Sequence, residues 1–125
     1  MDENNKGVGV LYFNTRDELV RVDLRRVGYF KADRNYTDVY FLNGYHTTLP
    51  INMAALEKML NSDQVKGCAV PFVRIGRSVI VSMLHIVHIN LPKQELVLSD
   101  LSAPGVLKVG VSKEALRKLK ELYRQ

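Results

Sequence analysis

The chain has 125 residues, 46% of them hydrophobic, with one cysteine and a net charge of +5. That length and apolar content suffice for one packed core, which excludes the small classes that need disulfide or metal staples. Polar or charged residues interrupt every apolar run well short of the roughly 20 residues a bilayer-spanning helix needs, so a helical membrane span is excluded.

Residues 8–13 and 20–24 are rich in β-branched and aromatic side chains, with a polar turn at 14–17, the pattern of a hairpin. Val20, Val22 and Leu24 alternate with Arg21, Asp23 and Arg25, as in a strand with one wet face. A strand is expected over 28–31, a polar connection over 32–35 (ADRN) and another strand over 36–42. Asn43-Gly44 then predicts a type I′ hairpin turn leading into a strand at 45–49. Asn52 is placed to cap MAALEKML (53–60), a helix whose Met53, Leu56, Met59 and Leu60 share one face. After a polar loop at 61–67, residues 70–75 read as a strand, Gly76 as a bend, 79–81 as an inward-packed strand and 82–85 as a short turn. Residues 86–91 and 95–98 form a hairpin around Pro92-Lys93-Gln94, and 106–111 is the last strand. Ser112 caps a final helix, KEALRKLKELY, with Ala115, Leu116, Leu119, Leu122 and Tyr123 as its buried stripe.

Short, turn-separated strands with only two helices predict a mainly β, antiparallel fold rather than a βαβ sheet. Neither helix is joined to another across a short turn, which argues against a helix-turn-helix. Any nucleic-acid reading would have to come from loops.

Charge is unevenly spread: residues 1–64 hold eight Lys or Arg against nine Asp or Glu, a net −1, and residues 65–125 hold ten against four, a net +6. A basic half suits nucleic acid, an anionic membrane surface or an acidic protein, and the plainer reading is a solvated face that aids solubility. In the run from Phe72 to Ile89, Arg74 and Arg77 are expected to project outward, because an unpaired guanidinium is too costly to bury beside aliphatic surface. His85 and His88 would point to opposite faces of a strand, which favours hydrogen-bonded histidines over a metal site. Cys68 has no partner for a disulfide and no activating neighbourhood, and MDENNKG has neither the positive flank nor the apolar core of a secretory signal, so a cytoplasmic setting is expected. Ser78 lies in neither a GxSxG elbow nor an SxxK pair, Asp33 and Asp38 read as solvated turn carboxylates, and Gly7-Val8-Gly9 is too short to cradle a phosphate. Lys113 stands at a helix start, where free backbone N–H groups also attract anions.

Three ordered segments, VGYFKADRNYTDVYFLNGY from Val27, FVRIGRSVIVSMLHIVHIN from Phe72 and VSKEALRKLKELY from Val111, resemble the LytTR family of bacterial DNA-binding domains. With MAALEKML between the first two, the resemblance covers nearly everything from Val10 onward. It implies antiparallel strands in small stacked sheets with two short-to-medium helices, a polar tail at 1–9 and a DNA-binding domain at 10–125. It also implies a transcription regulator whose loops enter successive major grooves and bend the duplex. Carried over by position, the contacts would come from Arg34, Asn35 and Thr37, from Arg74, Arg77 and Ser78, and from Ser112 and Lys113.

The implied partner is double-stranded DNA, bound as a homodimer on repeated half-sites, with no catalysis, cofactor, metal, membrane or small-molecule substrate. Relatives commonly carry an amino-terminal receiver domain, and none is expected here. The chain departs from the family pattern at Gly76, where many relatives have His, at Ser82, where they have Asn, and at Glu114, where they often have a basic residue. Gly76 and Glu114 keep open a protein-interaction module that has lost DNA binding. Tyr29, Phe30, Tyr36 and Tyr40 keep open an RNA or single-strand binder that stacks bases on aromatic rings.

Overall fold

In β3 (Val27–Asp33) and β7 (Val79–Ser82), apolar residues occupy successive positions instead of alternating with polar ones, so both faces of these strands must be covered. The computed structural model, which describes residues 9–62, 65, 70–101 and 105–123, puts them side by side in the middle of a five-stranded antiparallel sheet. Its other strands are β4 (Tyr36–Phe41), β5 (His46–Leu49) and β6 (Phe72–Ile75), in the order β5-β4-β3-β7-β6. A hairpin of β1 (Val10–Asn14) and β2 (Leu19–Asp23) forms a second sheet. The third contains β8 (Ile86–Asn90), β9 (Glu95–Leu98) and β10 (Leu107–Gly110), with β9 in the centre. Two helices complete the fold, α1 (Met53–Leu60) and α2 (Lys113–Glu121).

Two buried clusters flank the central sheet. On one face, Phe30, Val39 and Ile80 pack with Leu11, Phe13 and Val22 of the first hairpin and with Met53, Leu56 and Leu60 of α1. On the other, Tyr29, Ile75, Val79 and Val81 pack with Leu96, Leu98 and Val109 of the third sheet and with Ala115, Leu116 and Leu119 of α2. Adjacent residues of one strand thus serve opposite cores, as the two-residue period of a strand requires. The Asn52 side chain caps α1 by accepting from the Ala55 N–H at 2.8 Å, and the Ser112 hydroxyl accepts from the Ala115 N–H at 3.2 Å.

The mainly β, antiparallel expectation holds, and several local expectations are corrected. β3 continues through Asp33, leaving only Arg34 and Asn35 as the turn, because Ala32 and Asp33 pair with Thr37 and Tyr36. The β4–β5 connection is not type I′. Gly44 alone has a positive φ, the Gly44 N–H donates to the Phe41 carbonyl at 2.9 Å, and the Tyr45 carbonyl accepts from the Phe41 N–H at 2.8 Å. This is a three-residue loop closed by a glycine bulge. The Asn43 carboxamide accepts from the Tyr45 N–H at 3.0 Å, a local bond that competes with the I′ geometry. Leu24 leaves β2 for a 3₁₀ turn, Leu24–Arg26, in which the Asp23 carboxylate accepts from the Arg25 N–H at 3.2 Å.

Leu122 and Tyr123 do not extend the buried stripe of α2: the helix ends at Glu121 and they are 56% and 43% exposed. His85 is buried in a 3₁₀ turn, Met83–His85, with Nε2 2.8 Å from the Arg25 carbonyl, whereas His88 is exposed. No group of metal-ligating side chains occurs among the described residues, and none of their helices is long and apolar enough to cross a membrane. Residues 1–8, Cys68, Arg124 and most of the expected 61–67 loop lie outside the described residues.

Ser82 is fully buried and its Oγ has no hydrogen-bond partner among the described residues. An unpaired buried hydroxyl lowers stability by about 1 kcal/mol or more, so Ser82→Ala is expected to raise the denaturation midpoint by up to about 1 kcal/mol equivalent, measured by urea titration. Tyr29 stacks on Tyr40 at 4.4 Å, and burial first, then the charges of Tyr40 and Asp38, push its phenol from 10.0 to about 12. The neutral phenol therefore favours the folded state in full below pH 10, and that contribution is lost as pH rises from 10 through 12. Alkaline unfolding curves should show Tyr29→Phe losing less stability than the parent protein across that window.

Candidate nucleic-acid interface

Strand pairing decides which loops can meet. β7 runs antiparallel to β3 with Lys31 opposite Val79, so the β6–β7 turn lies at the same end of the sheet as the β3–β4 turn. The Ala32 N–H donates to the Ser78 carbonyl at 2.8 Å and joins the base of one turn to the other. Arg34 and Asn35 at one tip, and Gly76, Arg77 and Ser78 at the other, are all exposed. The Arg34 and Arg77 side chains have no acidic partner among the described residues. Lys31, also exposed at this end, is a cation that sequence reasoning did not single out. Its strand position gives it no motif signal, and only the register brings it beside the turns.

α2 packs on β6 and β8, and the Tyr123 hydroxyl beyond its far end donates to the Met83 carbonyl at 3.2 Å. Its start is held beside the β8–β9 turn, where the Val111 N–H donates to the Gln94 carbonyl at 3.0 Å. Lys113 is exposed there, and Ser112, also exposed, uses its oxygen lone pair as the helix cap while keeping its O–H available as a donor. Glu114 occupies the first helical turn, where a carboxylate is favoured by the helix dipole.

Two of the expected contact residues are held elsewhere. Thr37 is fully buried and its hydroxyl donates to the Ile51 carbonyl at 2.8 Å, so it ties β4 to the segment leading into α1 and does not reach the surface. Arg74 is directed across β6 toward α1, where Nη1 lies 2.9 Å from a Glu57 carboxylate oxygen, while Nη2 donates to the Arg77 carbonyl at 2.6 Å. Of the four aromatic residues considered for base stacking, Tyr29 and Phe30 are buried, Tyr40 is half-buried between Tyr29 and His46, and only Tyr36 is exposed.

A family model described as the LytTr DNA-binding domain matches residues 17–124. The fold is similar to the LytTr DNA-binding domain of a Bacillus cereus protein described as a methyl-accepting/DNA response regulator, with a TM-score of 0.63 and 24% identity over 94% of this chain and 98% of that one. No curated protein matches the chain at a significant level.

Arg34 has φ +59°, a left-handed conformation that costs a residue with a β-carbon about 1 to 2 kcal/mol. Asn tolerates this region and a β-branched residue does not. Arg34→Asn should leave thermal stability within about 1 kcal/mol of the parent, whereas Arg34→Val should lose about 1 to 2 kcal/mol more; calorimetry of the two variants compares them directly.

Proposed function

The chain belongs to the LytTr DNA-binding domain family, and from that premise we propose that it regulates transcription by reading duplex DNA in the major groove from the turns at one end of its central sheet. The family is one of DNA-binding regulators and not of enzymes. The observation that carries the finer reading is the hydrogen-bonded pair of turns, whose exposed Arg34 and Arg77 lack acidic partners among the described residues.

Arg77 takes the base-reading role: a guanidinium on a short rigid turn suits bidentate donation to guanine O6 and N7, contributing about 1 to 3 kcal/mol of discrimination. Arg34 and Asn35 read or brace the adjoining stretch, and Ser78, Ser112 and Lys113 hold phosphates. The DNA-binding unit is residues 10–125, with 1–9 outside it. Although the family match begins at residue 17, Leu11 and Phe13 of β1 are part of the core that supports the central sheet. Two copies occupy repeated half-sites about one helical turn, 10 to 10.5 base pairs, apart. Burial of Tyr29 and Phe30 leaves Tyr36 as the one exposed ring of the four considered for base stacking, which counts against a single-strand binder.

On a duplex selected from a random library, Arg77→Ala should lose about 1 to 3 kcal/mol of binding and lose little on random duplex. Lys113→Ala should weaken both and reduce the slope of log affinity against log salt by roughly 0.9. Equal losses for Arg77→Ala on selected and random duplex would count against base reading. No salt-sensitive binding of any duplex at low ionic strength would favour the protein-interaction module instead.

A further inference from the structure

We propose that Arg74 serves DNA recognition as a positioning residue: its guanidinium latches the base-reading turn to helix α1 and does not itself contact the duplex. The inference rests on the DNA-reading function proposed above for Arg77.

The geometry uses both ends of one guanidinium. Nη1 meets the Glu57 carboxylate at 2.9 Å, and Nη2 donates to the backbone carbonyl of Arg77 at 2.6 Å. Glu57 is a firm anchor because α1 is capped by Asn52 and buries Met53, Leu56 and Leu60. The turn needs such an anchor. It has only three residues between the paired Ile75 and Val79, and Gly76, at φ +64° with open space within 4 Å of where a β-carbon would stand, contributes no side chain to hold it. Two successive carbonyls of the turn are tied from opposite sides, Arg77 by Arg74 and Ser78 by the Ala32 N–H. Fixing those peptide units fixes the direction in which the Arg77 side chain leaves the backbone. Two of the five guanidinium N–H donors of Arg74 are already engaged by these partners, and the fork is oriented toward them and not toward the turn tip. Its charge is also balanced by Glu57, so it adds little to the field that attracts DNA.

Glu57→Gln separates the two roles by sign. As part of a latch, this substitution weakens binding to the selected duplex by roughly three- to tenfold and leaves the salt slope unchanged. If Arg74 instead contacted phosphate in competition with Glu57, the same substitution would tighten binding, and Arg74→Ala would reduce the slope by roughly 0.9; either result overturns the proposal. Arg74→Lys keeps the charge but not the planar fork, and is expected to behave like Arg74→Ala. The ion pair is half-exposed, with side chains 34% and 40% accessible, so the variants are expected to fold.

NMR order parameters of the DNA-free protein supply a readout independent of DNA. Backbone values at residues 76–78 should fall from about 0.85 toward 0.6 in Glu57→Gln and Arg74→Ala. Unchanged values overturn the latch alone, whereas failure of the unaltered protein to bind any duplex overturns the DNA reading and this role with it.

Discussion

Burial of β3 and β7 on both faces constrains everything that the central sheet can do. Tyr29 and Phe30 are neighbours in sequence and belong to different cores, as do Val79 and Ile80. Each large apolar side chain so buried contributes about 1.5 to 3 kcal/mol, and opening either face would forfeit several at once. The middle of the sheet therefore cannot present a surface to a partner. What remains accessible is the β5 edge and the ends, where strands reverse and side chains meet water. One end carries residues 42–45 beside Arg25 and Arg26, and both of these arginines lie within 4 Å of the Asp23 carboxylate. The other carries the Arg34 and Arg77 turns.

Pairing, more than the number of basic residues, separates these two ends. At the first end the one Asp23 carboxylate is shared by two exposed guanidiniums and lowers their attraction for phosphate without cancelling it, whereas Arg34 and Arg77, with no acidic partner among the described residues, keep their full charge and donors. At the Arg34 end, the turns are short and their backbones are tied to the sheet, so little ordering entropy remains to be lost when a duplex docks. Arg34 is kept at a positive φ by the two-residue reversal between Asp33 and Tyr36. Retaining arginine at a position that suits glycine or asparagine better is the kind of local strain that clusters at functional sites.

Much of this architecture was legible because local periodicity and capping are short-range. MAALEKML is α1 from end to end, Ser112 caps α2, and the strands fall close to their expected positions. The errors arose where a distant partner or one backbone bond decided the outcome. Thr37 looked like part of a polar reading turn, and its hydroxyl is taken by Ile51, fourteen positions away. Arg74 is exposed as expected, but nothing local marks Glu57, seventeen positions earlier and on another element, as its partner. Leu122 and Tyr123 continued the apolar period of α2, yet the helix ends before them and their side chains stay exposed. Ser82 stands where many relatives have the longer Asn, and its buried hydroxyl has no partner among the described residues.

The helices bear on the function differently from those of a helical DNA reader. α2 has nine residues, a length of about 13.5 Å, and its apolar stripe is committed to the core with Ile75 and Val79. Detaching it to lie in a groove would dismantle one of the two cores that hold the turns. Its start can still act without moving, because Lys113 is already exposed beside the free N–H groups of the helix end. Glu114 in the same helical turn moderates that attraction: it disfavours a phosphate packed closely against the helix start and leaves Lys113 to act as a more distant charge. On the proposed function, phosphate contacts at this position would set orientation and carry no sequence information. Discrimination would then rest on the two sheet turns, whose backbones are tied by strand register and by the Arg74 guanidinium before any duplex arrives.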